Sequence, residues 1–134
     1  PKPSSAASDV YKRQIIMRRF KYAYDGFTAI LKKDQNFLLH ILAGIIAIIM
    51  GFIFHINRSE WMFILFSIAL VLSLEAINTS IEFVVDLVTT DYHEYAKHAK
   101  DIAAFSVVIV SVLALCIGLI VFVPHILSLF LGGK

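Results

Sequence analysis

Residues 61–88 read WMFILFSIALVLSLEAINTSIEFVVDLV. From Trp61 to Leu74 no residue is charged; beyond that point Glu75, Asn78, Glu82 and Asp86 are set into text that otherwise stays apolar. A run of this length and character reads as a membrane-spanning helix, because crossing the hydrocarbon takes roughly 20 residues. The acids are compatible with that reading. At about 100° per residue, positions i, i+3, i+7 and i+11 fall within a stripe roughly 80° wide, so the four polar side chains share one face.

The flanking sequence supplies two more spans. No residue between Asp34 and Arg58 carries a full charge, and none does between Asp101 and Lys134. Spans are therefore predicted at about 37–55, 61–88 and 92–122, the last stopping before Pro124, whose ring interrupts helical hydrogen bonding. HINRSE at 55–60 forms the first turn, and Trp61 stands where an interfacial aromatic belongs. In the connector TTDYHEYAKHAKD, Asp91 and Glu94 have capping-box spacing, which predicts a third span starting near Tyr92. A chain that is 59% hydrophobic and 16% charged lies outside the range of ordinary soluble domains, and a net charge of +2 gives no reason to expect a nucleic-acid partner. The one cysteine, Cys116, excludes an intrachain disulfide and is expected to be a packing residue.

The N-terminal part divides in two. Residues 1–16 are set apart as a non-native or disordered leader, since their DVYKRQ portion is what sequencing-adapter DNA would encode; residues 17–134 form a single membrane domain. Within RRFKYAYDGFTAILKK, residues 18–33, Phe20, Tyr24, Phe27 and Leu31 recur at helical spacing among basic residues, the pattern of an amphipathic surface helix lying in the membrane interface. Lys and Arg concentrate here and, through Lys97 and Lys100, in the second connector, so both are expected on the cytoplasmic side of the cell (inner) membrane, with the C-terminus outside. The architecture is that of an all-α integral membrane protein.

The polar stripe needs a chemical reason. With a rise of about 1.5 Å per residue, Glu75 lies roughly 21 Å from Trp61 and still in hydrocarbon, while Glu82 and Asp86 reach the headgroups. An acid at Glu75's depth costs about 3 kcal/mol, which usually marks a function or a partner. Asn78 and Thr79 taken alone could bond between helices, and Glu82 and Asp86 could be a solvated helix end. Asp34, Lys100 and Asp101, however, come to the same depth on the other spans. An acid pair with a lysine and a helix N-terminus suits a divalent cation carrying a polyphosphate, with Asp34 and Glu82 on Mg²⁺ and Lys100 on the phosphates. Glu75, deeper and less solvated, suits a general base for a hydroxyl arriving from the lipid. Neither G-x-x-x-x-G-K-[ST] nor G-x-G-x-x-G occurs.

The run EAINTSIEFVVD at Glu75–Asp86, DYHE at Asp91–Glu94 and AKD at Ala99–Asp101 resembles the prokaryotic diacylglycerol kinase and undecaprenol kinase family, over Arg18 to about Phe122. The resemblance implies a homotrimeric lipid kinase with active sites shared between subunits, using ATP and Mg²⁺ on a membrane lipid alcohol. It implies that Glu75 is the catalytic base, that Glu75 and Asn78 meet the lipid substrate, and that Asp34 and Glu82 bind the metal. Tyr22, Asp34, Glu82, Asp91, Tyr92, His93, Lys100 and Asp101 would bind the nucleotide. Two positions depart from the family pattern: Asp34 stands where glutamate is usual, and Ile15 lies near the place of an early arginine. IEFVVDL and NFLLH look closer to the Gram-positive branch, which favours undecaprenol over diacylglycerol. Two readings from other classes stand beside this one: a small ion or proton transporter, since acids in spans also mark ion pathways, and a scaffold whose stripe only guides packing.

Overall fold

The computed structural model describes residues 4–132 and contains four helices in chain order: α1 (Ser5–Lys33), α2 (Gln35–Ile53), α3 (Arg58–Val88) and α4 (Glu94–Leu131). The outermost residues of the leader at 1–16 and of the domain at 17–134, namely 1–3 and 133–134, lie outside the described residues. Residues Pro1–Lys33 and Asp34–Lys134 form two separate units. In the first, α1 begins at Ser5 and so runs through most of the stretch set apart as a leader, rather than starting at Arg18. Lys32 and Lys33 in its last turn oppose the negative end of the helix dipole.

In the second unit, α2, α3 and α4 are each long and apolar enough to cross a membrane. α3 is the central element: α4 packs along it extensively and α2 less so. The turn between α2 and α3 is tight, with His55 in the left-handed region at φ 50°. A capping box closes it: Asn57 Oδ1 accepts from the Glu60 N–H at 3.0 Å, and the Asn57 N–H donates to Glu60 Oε2 at 2.8 Å. α3 therefore starts at Arg58, ahead of the predicted position 61.

α4 differs from expectation at both ends. Asp91 does not cap it; His93 is the N-cap, its Nδ1 accepting from the Tyr95 N–H at 3.2 Å, and the helix begins at Glu94 rather than near Tyr92. At the far end the helix passes through Pro124 and continues to Leu131. Proline removes one backbone hydrogen bond, but ending the helix in apolar surroundings would leave several peptide groups unpaired. Tertiary contacts also hold the segment after Pro124. His125 Nε2 lies 3.3 Å from the Glu60 carboxylate and its ring stacks on Phe54 at 6.1 Å, while Ile126 packs on the core.

That core lies at the Trp61 end, where Ile56, Ile64, Val121 and Phe122 are buried together. Trp61 belongs to this packing: its ring meets Phe52 at 4.9 Å and covers Gly51. Cys116, expected to pack, is exposed on α4. Exposed apolar side chains such as Ile45, Ile46, Phe66, Ile109 and Leu113 cover the outer faces, as suits helices surrounded by lipid. Where lipid tails are as apolar as the side chains, helix association relies on close packing, and small residues allow it. A Cβ on Gly51 would meet Trp61 Cη2 at 2.7 Å and Cζ2 at 2.9 Å, and one on Gly44 would meet Ile68 at 3.1 Å.

Replacing Gly51 by alanine is therefore expected to lower stability by about 1–3 kcal/mol, the usual cost of overpacking, read as a lower thermal midpoint in detergent micelles. Gly26→Ala, whose added methyl meets nothing within 4 Å, is expected to hold or raise the midpoint.

Candidate active site

The polar stripe of α3 faces inward. Glu75, Asn78 and Thr79 are 3%, 7% and 2% exposed, and Glu82 and Asp86 are partly buried. Their burial follows from the helix period, which carries them round the side of α3 that receives α2 and α4.

α2 delivers Asp34 to this stripe through its own N-terminus. Asp34 takes an extended conformation and caps the helix, Oδ1 accepting from the Asn36 N–H at 2.8 Å. The other oxygen, Oδ2, accepts from Thr79 Oγ1 of α3 at 3.3 Å. The carboxyls of Asp34 and Glu82 are both close enough to act on Glu75 electrostatically. Three acids thus converge at the start of α2. Asn78 Nδ2 donates to Glu82 Oε1 at 3.4 Å, while Asn78 Oδ1 is buried with no hydrogen-bond partner.

The other predicted residues lie on α4, on the connector before it and on α1. Lys100 Nζ pairs with Asp86 Oδ1 at 2.5 Å, tying the first turns of α4 to the last turn of α3. Asp101 pairs with Lys97 of its own helix at 2.7 Å, with both side chains more than half exposed. Adjacent residues on a helix point about 100° apart, so only one of Lys100 and Asp101 can face α3. Asp91, Tyr92 and His93 lie exposed between α3 and α4; the Asp91 N–H donates to Thr89 Oγ1 at 3.2 Å. Tyr22 is exposed on α1. Among the described residues no group of three or more histidine, cysteine, aspartate or glutamate side chains forms a ready metal cage.

A groove of about 580 Å³ opens over the cluster, lined by Asn36 and His40 of α2, Glu75, Asn78 and Glu82 of α3, and Val107 and Ser111 of α4, among others. A second, almost wholly apolar groove of similar volume continues towards the Trp61 end and shares His40, Ser111 and Leu115 with the first. Sequence reasoning missed His40, Ser111 and Asn36. The signal that singled out Glu75, a polar residue in an apolar run, applies equally to His40 and Ser111. It went unused because a lone histidine or serine in a span has many ordinary explanations. Thr79, read as a possible bond between helices, makes that bond, and its partner is Asp34.

A family profile described as prokaryotic diacylglycerol kinase matches residues 21–122. An undecaprenol kinase of Bacillus subtilis (strain 168) is 38% identical over 109 residues, covering 81% of this chain and 89% of that protein. A diacylglycerol kinase of Synechocystis sp. is 35% identical over 111 residues, covering 82% and 63%, and one of Escherichia coli (strain K12) is 28% identical over 105 residues, covering 76% and 86%.

The Asp34–Thr79 bond joins α2 to α3 at the site, and Thr79→Val, which keeps the shape and removes the hydroxyl, is expected to cost about 1 kcal/mol. The check is the unfolding midpoint in micelles; an unchanged midpoint would show that this bond does not contribute.

Proposed function

Because this chain belongs to the prokaryotic diacylglycerol kinase family and is a membrane lipid kinase, we propose that it transfers the terminal phosphoryl group of ATP to the hydroxyl of a membrane lipid alcohol at the Glu75 cluster. The observation that carries this reading is a buried carboxyl, Glu75, opening onto a groove whose far end is apolar. Undecaprenol is the preferred acceptor and diacylglycerol the second. The relative named undecaprenol kinase has the higher identity of those compared, and the apolar groove suits a long hydrocarbon chain.

In this reading the lipid hydroxyl meets Glu75 and the unpartnered Asn78 Oδ1, and a hydroxyl is the donor that acceptor lacks. Glu75 takes the hydroxyl proton as the oxygen bonds to the terminal phosphorus and the bond to the bridging oxygen of ADP breaks. The donor set suits Mg²⁺: Asp34 and Glu82 offer hard carboxylate oxygens. When bound, the ion supplies neutralisation of phosphate charge. Lys100 meets the polyphosphate, with Asp86 holding its ammonium in place. Tyr22, Asp91, Tyr92, His93 and Asp101 complete the nucleotide site, together with a second and third copy of the chain in a homotrimer. Asp34, one methylene shorter than glutamate, would help hold the ion from the N-cap of α2. Exposed Phe20, Tyr22, Tyr24 and Phe27 on α1 support its place in the headgroup layer, with the N-terminus cytoplasmic and the C-terminus outside the cell membrane.

Purified protein in micelles with labelled ATP, Mg²⁺ and undecaprenol is expected to label the lipid, and Glu75→Gln to reduce that rate at least about 100-fold. Ion flux in vesicles without labelled lipid would select a transporter instead. Glu82→Ala is expected to abolish turnover across a Mg²⁺ titration. Lys100→Ala is expected to raise the KM for ATP more than it lowers kcat, and a KM left unchanged would remove Lys100 from the phosphate site.

A further inference from the structure

We propose that α1 binds anionic phospholipid: Lys21 and Lys32 on one flank of the helix and Arg19 on the other hold the phosphates of negatively charged headgroups while its aromatic stripe lies among the acyl chains. The inference goes beyond the kinase reading and does not depend on it.

Three observations carry it. The first is a segregation of charge along the chain. Residues 17–33 hold five basic residues and one acid, whereas residues 34–134 hold four and eight. The second is that the cations of α1 are uncommitted. Arg18, Arg19, Lys21 and Lys32 are exposed, and among the described residues none of the four enters an ion pair. In the membrane domain, by contrast, Lys97 and Lys100 are paired with Asp101 and Asp86. The third is the arrangement around the helix. At about 100° per residue, Phe20, Tyr24, Phe27 and Leu31 fall in a stripe roughly 60° wide. Lys21 and Lys32 lie roughly 90–110° to one side of its centre and Arg19 roughly 110° to the other, with Arg18, Lys33 and the single acid, Asp25, further round. Phe20, Tyr24 and Phe27 are exposed, so the stripe is uncovered.

An occupant has to answer both the stripe and its flanks. A nucleic acid or an acidic peptide would meet the cations and leave the aromatic groups in water. A neutral bilayer would cover the stripe and leave the cations without counter-charge. An anionic bilayer satisfies both, because lysine and arginine lay their methylenes along the apolar zone and raise their charged ends to the phosphates. Only Asp34 separates α1 from α2, the first helix long enough to cross a membrane, so headgroups are always within reach. Each basic residue at a negatively charged surface strengthens attachment about fivefold, and salt screens the effect.

The test is amide hydrogen exchange on the whole chain in nanodiscs of neutral phosphatidylcholine and in nanodiscs holding about 30% phosphatidylglycerol. Exchange across residues 18–33 is expected to be at least about tenfold slower in the anionic discs and to return to the neutral-disc value in about 0.5 M salt. The triple variant Arg19→Gln, Lys21→Gln, Lys32→Gln is expected to lose this dependence on lipid charge, with exchange in α2 and α3 unchanged as the control for folding. Equal exchange of the wild-type chain in both discs would overturn the proposal, the helix then being held by its aromatic stripe alone. An effect of lipid charge that survives in the triple variant would overturn it too, as would protection that is the same in both discs and grows with the number of chains per disc, which would assign the face to a second copy. The readout is exchange and not phosphoryl transfer, so a chain inactive on every lipid alcohol would overturn the kinase reading and leave this measurement unmoved.

Discussion

The Asp34 carboxyl is the joint on which the membrane domain turns. One oxygen caps α2 and the other accepts from Thr79 in the middle of the polar stripe of α3. The cap determines where α2 begins, and the bond determines which residues of α3 it begins against. Because the free N–H groups at a helix start carry partial positive charge, the acids of α3 are gathered beside the one end of α2 that tolerates negative charge. One side chain thus organises both the start of α2 and its pairing with α3.

From that joint the groove changes character along its length. At the Asp34 end it is walled by carboxyls and amides, and towards Trp61 it is almost wholly apolar. Such a gradient matches an amphiphile lying with its polar group at the acids and its chain in the oil. Acids in such surroundings are costly, and their inward orientation on α3 spares them contact with acyl chains. Glu75 is accordingly buried beside Asp34 and does not point into lipid.

The opposite end of the domain is built for closeness. Gly51 lets Trp61 lie on the α2 backbone, the Asn57–Glu60 box ends the turn, and Glu60 reaches His125 beyond Pro124. Glu60 therefore does for the far end what Asp34 does for the near one: a capping carboxylate that also grips a neighbouring helix.

The sequence by itself determined the helix count, the membrane-spanning character, the family and the shared face of Glu75, Asn78, Glu82 and Asp86. All of these follow from composition, motif and the fixed period of the α-helix, which need no knowledge of neighbours. The tertiary structure alone decided matters that depend on a partner distant in the chain. Helix boundaries moved because caps compete locally: His93, not Asp91, starts α4, and contacts to Glu60 and Phe54 carry the helix past Pro124. Lys100 pairs across to Asp86 of α3 while Asp101 pairs with Lys97 of its own helix, since the helix turns adjacent residues apart. His40 and Ser111 were visible as letters but not as a pair, because only the packing of α2 and α4 on α3 brings them to the walls of one groove.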